Sequence, residues 1–150
     1  MQIRELTRDD LPSASTLCMD AFMLAVAPSL PPQGVETFSK LANAAAFAER
    51  MAGDNLMLGY LEDGALTGLI ELKEGRHVAM LFVAPDCQHK GIGRRLIDAA
   101  MEHARGDVLT VRAALSSVKT HERYGFILTG GVGEFAGLIF QPMEKRLTSI

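Results

Sequence analysis

Met80-Leu81-Phe82-Val83-Ala84-Pro85-Asp86-Cys87-Gln88-His89-Lys90-Gly91-Ile92-Gly93-Arg94-Arg95-Leu96-Ile97 decides how this chain is read. An apolar run stops at Pro85, a turn follows, and Gly91 and Gly93 stand just ahead of apolar positions that recur with helical spacing. The stretch therefore reads as strand, glycine-rich turn and helix start. The first amides of a helix have no partner within it and carry partial positive charge, which suits a phosphate or pyrophosphate if no β-carbon blocks its approach. Gly91 and Gly93 remove two such β-carbons. Lys90 and Arg94 add charge beside the turn, and Gln88 is placed to hydrogen-bond the loop or a ligand. Two nucleotide-binding patterns fit worse: there is no Gly-Lys-Ser/Thr P-loop, and the third glycine of Gly-x-Gly-x-x-Gly is missing.

Composition narrows the classes. With 150 residues, 48% hydrophobic and 22% charged, the chain is expected to form one folded domain over 1–150 with a core of its own. A net charge of −3 gives no general reason to expect nucleic-acid binding, and the basic residues cluster around His89-Lys90 and Arg94-Arg95. Cys18 and Cys87 are too few for a disulfide framework, and neither has a second cysteine at metal-ligand spacing. Cys18 falls in an apolar helical pattern and reads as a buried thiol; Cys87 lies in the turn. Met1-Gln-Ile-Arg-Glu-Leu6 lacks the features of a signal peptide, and no apolar run reaches membrane-spanning length. The expectation is a cytoplasmic protein without membrane partners.

Outward from the turn, the elements follow from periodicity. Ile3 to Leu6 reads as a strand, and Leu11, Ala14, Leu17, Cys18, Ala21, Phe22, Leu24 and Ala25 follow helical spacing until Pro28-Ser-Leu-Pro-Pro32 breaks it. That break is either a simple helix connector or the border of a substrate entrance. One long helix is expected from about Val35 to Met51, with Phe38, Leu41, Ala45 and Ala48 on its inner face. Leu56 to Leu61 and Leu66 to Leu72 are strands joined by Asp63-Gly64, a hairpin signal, and Glu74-Gly75 turns the chain into a strand from about His77 to Val83. After the glycine turn, Ile92, Leu96, Ile97, Ala100, Met101 and Ala104 form the apolar face of a helix. Val108 to Ala113 is a strand, Ser116 and Ser117 are placed to cap a short helix ending at Gly125, and Phe126 to Thr129 and Leu138 to Met143 close the chain. The fold class is α/β, with element order β-α-α-β-β-β-α-β-α-β-β.

Three features, the Phe82-Val83 strand end, Gln88-His-Lys-Gly-Ile-Gly93, and His121-Glu-Arg-Tyr-Gly-Phe126 after the following strand, give a chain that resembles the GNAT acetyltransferase superfamily over essentially its whole length. Pro142-Met-Glu-Lys-Arg-Leu147 is similar to a common ending in that group. The resemblance implies a mixed, mostly antiparallel central sheet flanked by helices. It also implies acetyl-CoA as acyl donor, with transfer of the acetyl group to a primary amine by direct attack in a ternary complex. Backbone groups at Leu81, Phe82 and Val83 would meet the acyl and pantetheine region, and Gln88, His89, Lys90, Gly91, Ile92, Gly93 and Arg94 would hold the phosphates.

The catalytic positions depart from the family. It often places a tyrosine four residues before the glycine of Tyr-x-x-x-Gly-Phe, where the hydroxyl protonates the departing sulfur; here that residue is His121. Histidine can donate a proton, and its charge responds to small environmental shifts. The bland alternative is a polar residue on a short helix. Tyr124, three residues on, is the second candidate acid. The family's pantetheine-contacting asparagine is missing from residues 113 to 120, leaving Ser116 or Ser117 as substitutes. A base must take a proton from an ammonium acceptor. Glu71, which interrupts Leu69-Ile70-Leu72, is named first; it should face a cleft, solvent or a partner, since burying an unpaired carboxylate is costly. His77 is a further possibility, against a surface histidine near a turn. No metal is required. The acceptor is left open between a small molecule and a peptide amine, and a homodimer is plausible by resemblance. The rival reading is a non-catalytic acyl-CoA sensor or regulatory partner.

Overall fold

A computed structural model describes residues 1–147 of the chain; the last three positions of the expected domain lie outside the described residues. The hairpin signals act as the sequence implies. Asp63 and Gly64 take positive φ angles of 51° and 81°, and Glu74 and Gly75 take 55° and 66°, the paired left-handed geometry whose twist matches antiparallel strands. They connect β2 (Asn55–Glu62), β3 (Ala65–Lys73) and β4 (His77–Val83) into a meander, with β1 (Gln2–Glu5) paired antiparallel to β2. Beyond β4 the sheet continues through β5 (Val108–Ala114) to β8 (Leu138–Arg146), which carries β6 (Ile127–Leu128) and β7 (Gly133–Phe135). Only the β4–β5 contact is parallel among these pairs, so the mixed, mostly antiparallel sheet expected from the resemblance is present.

Strand alternation divides the core. Leu58, Tyr60, Ile70, Leu72, Val78, Leu109, Val111 and Ala113 pack on the face covered by α4 (Ile92–Met101) and by Phe126. Met57, Leu69 and Met80 pack on the other face against α1 (Leu11–Ala25), α2 (Pro32–Leu41) and α3 (Ala44–Met51). Each fully buried Leu, Ile or Phe in these layers contributes about 1.5–3 kcal/mol of transfer free energy.

Two expectations about elements change. The long helix from Val35 to Met51 is two helices, because Ala42 and Asn43 leave helical geometry and the Asn43 side chain accepts a hydrogen bond from the Ala46 amide at 2.8 Å, capping α3. The inner face shifts accordingly to Phe38, Ala42 and Phe47, while Leu41 is exposed. A short strand, β7, also forms inside the glycine-rich stretch before β8, closed by Ala136 and Gly137 at φ 47° and 86°. The order is thus β-α-α-α-β-β-β-α-β-α-β-β-β, where α5 (Val118–Arg123) is the last helix. In α1 the predicted face holds through Phe22, but Leu24 points outward.

The α2 helix lies across the middle of the sheet. Its Phe38 ring stacks on Phe22 of α1 with centroids 3.9 Å apart and meets Phe82 of β4 edge-on at 5.4 Å. Its start meets the β7–β8 turn, where Thr37 Oγ1 donates to the Ala136 carbonyl at 2.6 Å and the backbones of Gly34 and Gly137 touch so closely that a β-carbon on either would overlap the other. Since β5 lies between β4 and β8, α2 bridges over it.

Candidate active site

The β4–β5 contact builds the site. These strands share only two registered pairs, His77↔Thr110 and Val78↔Val111. On its other side β4 stays paired with β3 as far as Val83, and a bulge between Val78 and Met80 leaves Ala79 unmatched. The kink turns β4 away from β5, and the two strands fork toward their C-terminal ends. Leu81, Phe82 and Val83 form one arm of this fork. All three are half-buried: Leu81 and Val83 pack on the α4 side and Phe82 on the α2 side. Their side chains belong to the core, so the fork offers a ligand their backbone.

At the tip of the β4 arm the chain enters the glycine turn. Gln88 Nε2 donates to the Val83 carbonyl at 3.2 Å, holding the loop to the strand, which is one of the two roles expected of it. His89 and Gly91 have φ of 66° and 81°, alternation that gathers backbone N–H groups into an anion-binding concavity. The Gly91 position has open space around it and lacks a side-chain cap, so the first amides of α4 face outward. Those features fit a pyrophosphate. Lys90 and His89 are exposed beside it, whereas Ile92 is buried in the core and can contribute only its amide.

Two residues of the motif act differently from expectation. Gly93 is buried, and a β-carbon there would overlap the Tyr124 hydroxyl; its missing side chain makes room for the tyrosine. Arg94 donates to the Arg123 carbonyl at the end of α5 and lies 5.7 Å from the Tyr124 ring centre, tying α4 to α5. Tyr124 therefore sets its hydroxyl against the first turn of α4. Burial raises its pKa, partly offset by Arg94 and Arg123.

His121 stands one turn earlier on α5 and keeps 6% of its surface. Its Nδ1 lies 2.8 Å from the Ser117 carbonyl, and because a carbonyl only accepts, Nδ1 carries the proton. Nε2 is buried with no hydrogen-bond partner. Burial lowers the pKa of the ring, opposed in part by the Ser117 carbonyl, so the neutral form holds at pH 7. A sulfur-protonating acid needs a proton on Nε2; the geometry puts it on the other nitrogen. Ser116 is exposed, and Ser117 Oγ donates back to Ala114 at 2.9 Å, so neither serine side chain caps α5.

Glu71 has the partner that its burial demands. It is 0% exposed, and its two oxygens accept from Arg50 Nε at 2.8 Å and Nη2 at 3.1 Å. The third donation of Arg50 goes to the Leu41 carbonyl at 2.8 Å, and its guanidinium lies over Phe47 at 4.8 Å. Of the surroundings expected for Glu71, a cleft, solvent or a partner, the structure shows the partner: the ion pair pins the α2–α3 junction to β3 and occupies both oxygens that a base would need. His77 is half-buried at the β4–β5 seam with Nδ1 2.7 Å from Thr110 Oγ1, rather than on a surface turn. Burial and the positive charges of Arg112, Arg76 and Lys73 lower its pKa. The Pro-rich break between α1 and α2 bounds an apolar hollow of about 500 Å³, lined by Met23, Ala27, Pro28, Leu30, Pro32 and Val35.

A family model for the acetyltransferase (GNAT) domain matches residues 26–147, and the chain belongs to that family of N-acetyltransferases. A GCN5-related N-acetyltransferase from Rhodopseudomonas palustris has a TM-score of 0.86 at 24% identity, over 97% of this chain and 95% of its own. The PaiA N-acetyltransferase of Thermoplasma acidophilum, solved with coenzyme A, scores 0.81 at 21% identity over 97% and 98%. YncA of Salmonella typhimurium, a putative acetyltransferase solved with acetyl-CoA, scores 0.71 at 22% identity over 100% and 95%. No curated protein matches the chain. Among the described residues, no helix is long and apolar enough to cross a membrane, and no group of three His, Cys, Asp or Glu is placed to hold a metal ion.

Proposed function

We propose that this chain is an acetyl-CoA-dependent N-acetyltransferase that moves the acetyl group to a primary amine within a ternary complex. The observation that carries the reading is the β4–β5 fork opening directly into the uncapped start of α4. A ligand with a pyrophosphate at one end and an extended amide-bearing arm at the other matches both parts. The turn from Gln88 to Arg94 would receive the phosphates through its amides and Lys90, and the β4 edge at Leu81 to Val83 would hydrogen-bond the arm. For Arg94 to join the phosphate site its guanidinium must leave the Arg123 carbonyl, so we assign it to the α4–α5 tie and the charge to Lys90. Holding both reactants in the fork supplies the orientation that makes attack effectively intramolecular. The acetyl acceptor, a small-molecule or peptide amine, enters from the α2 face, because the α4 face is committed to the phosphates.

A thermal-shift titration with acetyl-CoA, CoA and longer acyl-CoAs tests the reading, since a ligand bound only by the folded state stabilises it by about 2.7 kcal/mol at one hundred times its Kd. Saturable stabilisation followed by acetylation of at least one amine in a panel is the expected result. Absence of any shift refutes it. Stabilisation without turnover across the panel supports the second reading, a non-catalytic acyl-CoA sensor, which the replacement of the usual phenol by His121 favours.

A further inference from the structure

Arg112 stands where β4 and β5 part. It follows Val111, which makes the last registered pair of the seam with Val78, so it is the first residue of the β5 arm. Leu109, Val111 and Ala113 alternate onto the α4 face, which puts Arg112 on the opposite face, where it is exposed. Its guanidinium lies 4.8 Å from the ring centre of Phe140 on β8, a half-buried residue that shares its face of the strand with Leu138 of the α2 core layer. This is the face assigned above to the acetyl acceptor.

The hydrogen-bonding capacity of Arg112 is unspent. Arg4, Arg50, Arg76 and Arg105 each hold a carboxylate of this chain. Among the described residues Arg112 takes part in no ion pair and no side-chain hydrogen bond, although Glu144 sits on the same face, across from Thr110. The Phe140 ring covers one flat face of the guanidinium and fixes its plane, while the N–H groups lie in that plane, an arrangement ready for a bidentate carboxylate. The field around it is positive: His77, bonded to Thr110 at the foot of the seam, has its pKa lowered by burial first and then by the charges of Arg112, Arg76 and Lys73. The phosphates of a cofactor do not answer this charge, because the glycine turn leads into α4 on the other face of the sheet.

We propose that Arg112 binds a carboxylate of the acetyl acceptor, so that the acceptor is an amine whose carboxylate lies several bonds from its nitrogen, as in an ω-amino acid or a short peptide. This rests on the acetyltransferase reading above. An acyl arm that starts at the glycine turn and runs back from Val83 to Leu81 brings its thioester to the narrow part of the fork. The attacking nitrogen must reach that point between β4 and β5, while the carboxylate lies on Arg112 toward Phe140, on the strand beyond β5. Neighbouring strands are about 4.8 Å apart, so nitrogen and carboxylate are separated by roughly 5–10 Å. An α-amino acid, whose two groups share one carbon, is too short to span that gap. A polyamine meets like charge there instead.

Steady-state kinetics on matched acceptors tests the assignment: ω-amino acids of graded length, α-amino acids and dipeptides, each beside its own carboxamide. The carboxylate form is expected to exceed its carboxamide in kcat/KM by roughly 10- to 100-fold, with the difference in the acceptor KM. Arg112→Gln collapses that ratio to within about threefold of unity, and the acetyl-CoA KM moves by less than about threefold. Arg112→Lys, which keeps the charge but loses the planar pair of donors, retains part of the preference. A lead of the ω-amino acids or the dipeptides over the α-amino acids supports the spacing. Carboxamides or diamines used as well as carboxylates, a preference for α-amino acids, or a carboxylate preference that survives Arg112→Gln in folded protein each overturns the proposal and leaves acetyl transfer intact. A second readout needs no turnover: with CoA bound, the carboxylates raise Tm further than their carboxamides, and Arg112→Gln removes the difference. Equal shifts, or none from any carboxylate, overturn the proposal. Failure of CoA to bind at all removes the acetyltransferase reading and this proposal together.

Discussion

Replacing Arg50 with alanine tests whether Glu71 is a structural anion. The Glu71 carboxylate has no exposed surface, and both of its oxygens depend on one guanidinium at 2.8 and 3.1 Å. Truncating Arg50 strands a charge between β3 and α3, which in buried pairs costs about 3–5 kcal/mol. Arg50 keeps 24% of its side chain exposed, so water can reach the gap, and the expected loss lies near the lower end, about 3 kcal/mol. For a chain of this size that lowers Tm by about 6–12 °C. The paired change Arg50→Met with Glu71→Leu removes both charges and refills the volume. Beyond the pair itself it forfeits the bond to the Leu41 carbonyl, worth about 1 kcal/mol, and the guanidinium contact with the Phe47 ring, worth about 0.5–1 kcal/mol. Urea unfolding followed by circular dichroism gives the three stabilities and, with Glu71→Leu alone, the coupling energy. A single Arg50→Ala variant that loses less than about 1 kcal/mol, or a double variant no more stable than the single, refutes the assignment of a buried, mutually dependent pair.

Three further outcomes follow from the turn and the N-terminal strand. Gly91→Ala places a β-carbon in open space at φ 81°, so it costs only the left-handed backbone strain, about 1–2 kcal/mol by thermal unfolding, and diminishes the CoA-induced shift. Gly93→Ala collides with the Tyr124 hydroxyl and destabilises by about 1–3 kcal/mol; the penalty shrinks in a Tyr124→Phe background, and a double-mutant cycle showing no coupling overturns the packing argument. Asp10 accepts from Arg4 at 2.8 and 3.0 Å and from the Thr7 amide at 2.7 Å, with Arg4 first among the causes that hold its carboxyl well below the usual range. A depressed carboxyl pKa contributes stability above the unfolded-state value, about 3.9, and loses it as pH falls below. Asp10→Asn is therefore less stable at pH 7, and its unfolding curves converge on those of the wild type in acid.

The local signals read correctly are those that short-range physics decides. Asp63-Gly64 and Glu74-Gly75 needed only the φ angles that such pairs tolerate, and the α4 face needed only a period of 3.6. The division at Asn43 was also legible, since an asparagine within an alanine-rich run is an N-cap signal that periodicity alone overrides. Ala136-Gly137 makes a third turn with the same paired positive φ angles, but alanine has no preference for them, so the pair does not announce a hairpin in the sequence. The site was less legible because its meaning lies in distant partners. Arg50 is 21 residues from Glu71, so an isolated strand carboxylate looked like a base. Gly93 looked like room for a phosphate until Tyr124, on another helix, filled that room. His121 was found by motif position, but which nitrogen holds the proton depends on a carbonyl one helical turn away.

The brief seam between β4 and β5 has a consequence beyond the site. Two registered pairs join a meander of four strands to the remaining strands of the sheet, so the main-chain ladder contributes least at the centre, where a sheet is ordinarily most cohesive. The halves are fastened instead by side chains: Leu58, Tyr60, Ile70 and Val78 from one, Leu109, Val111, Ala113 and Met143 from the other, with α4 lying over the join. Backbone hydrogen bonding is local and directional, whereas apolar contact is neither, and it weakens on cooling. The molecule is thus two hydrogen-bonded plates joined by apolar packing, and the line along which β4 and β5 part is also the line along which its cohesion changes character.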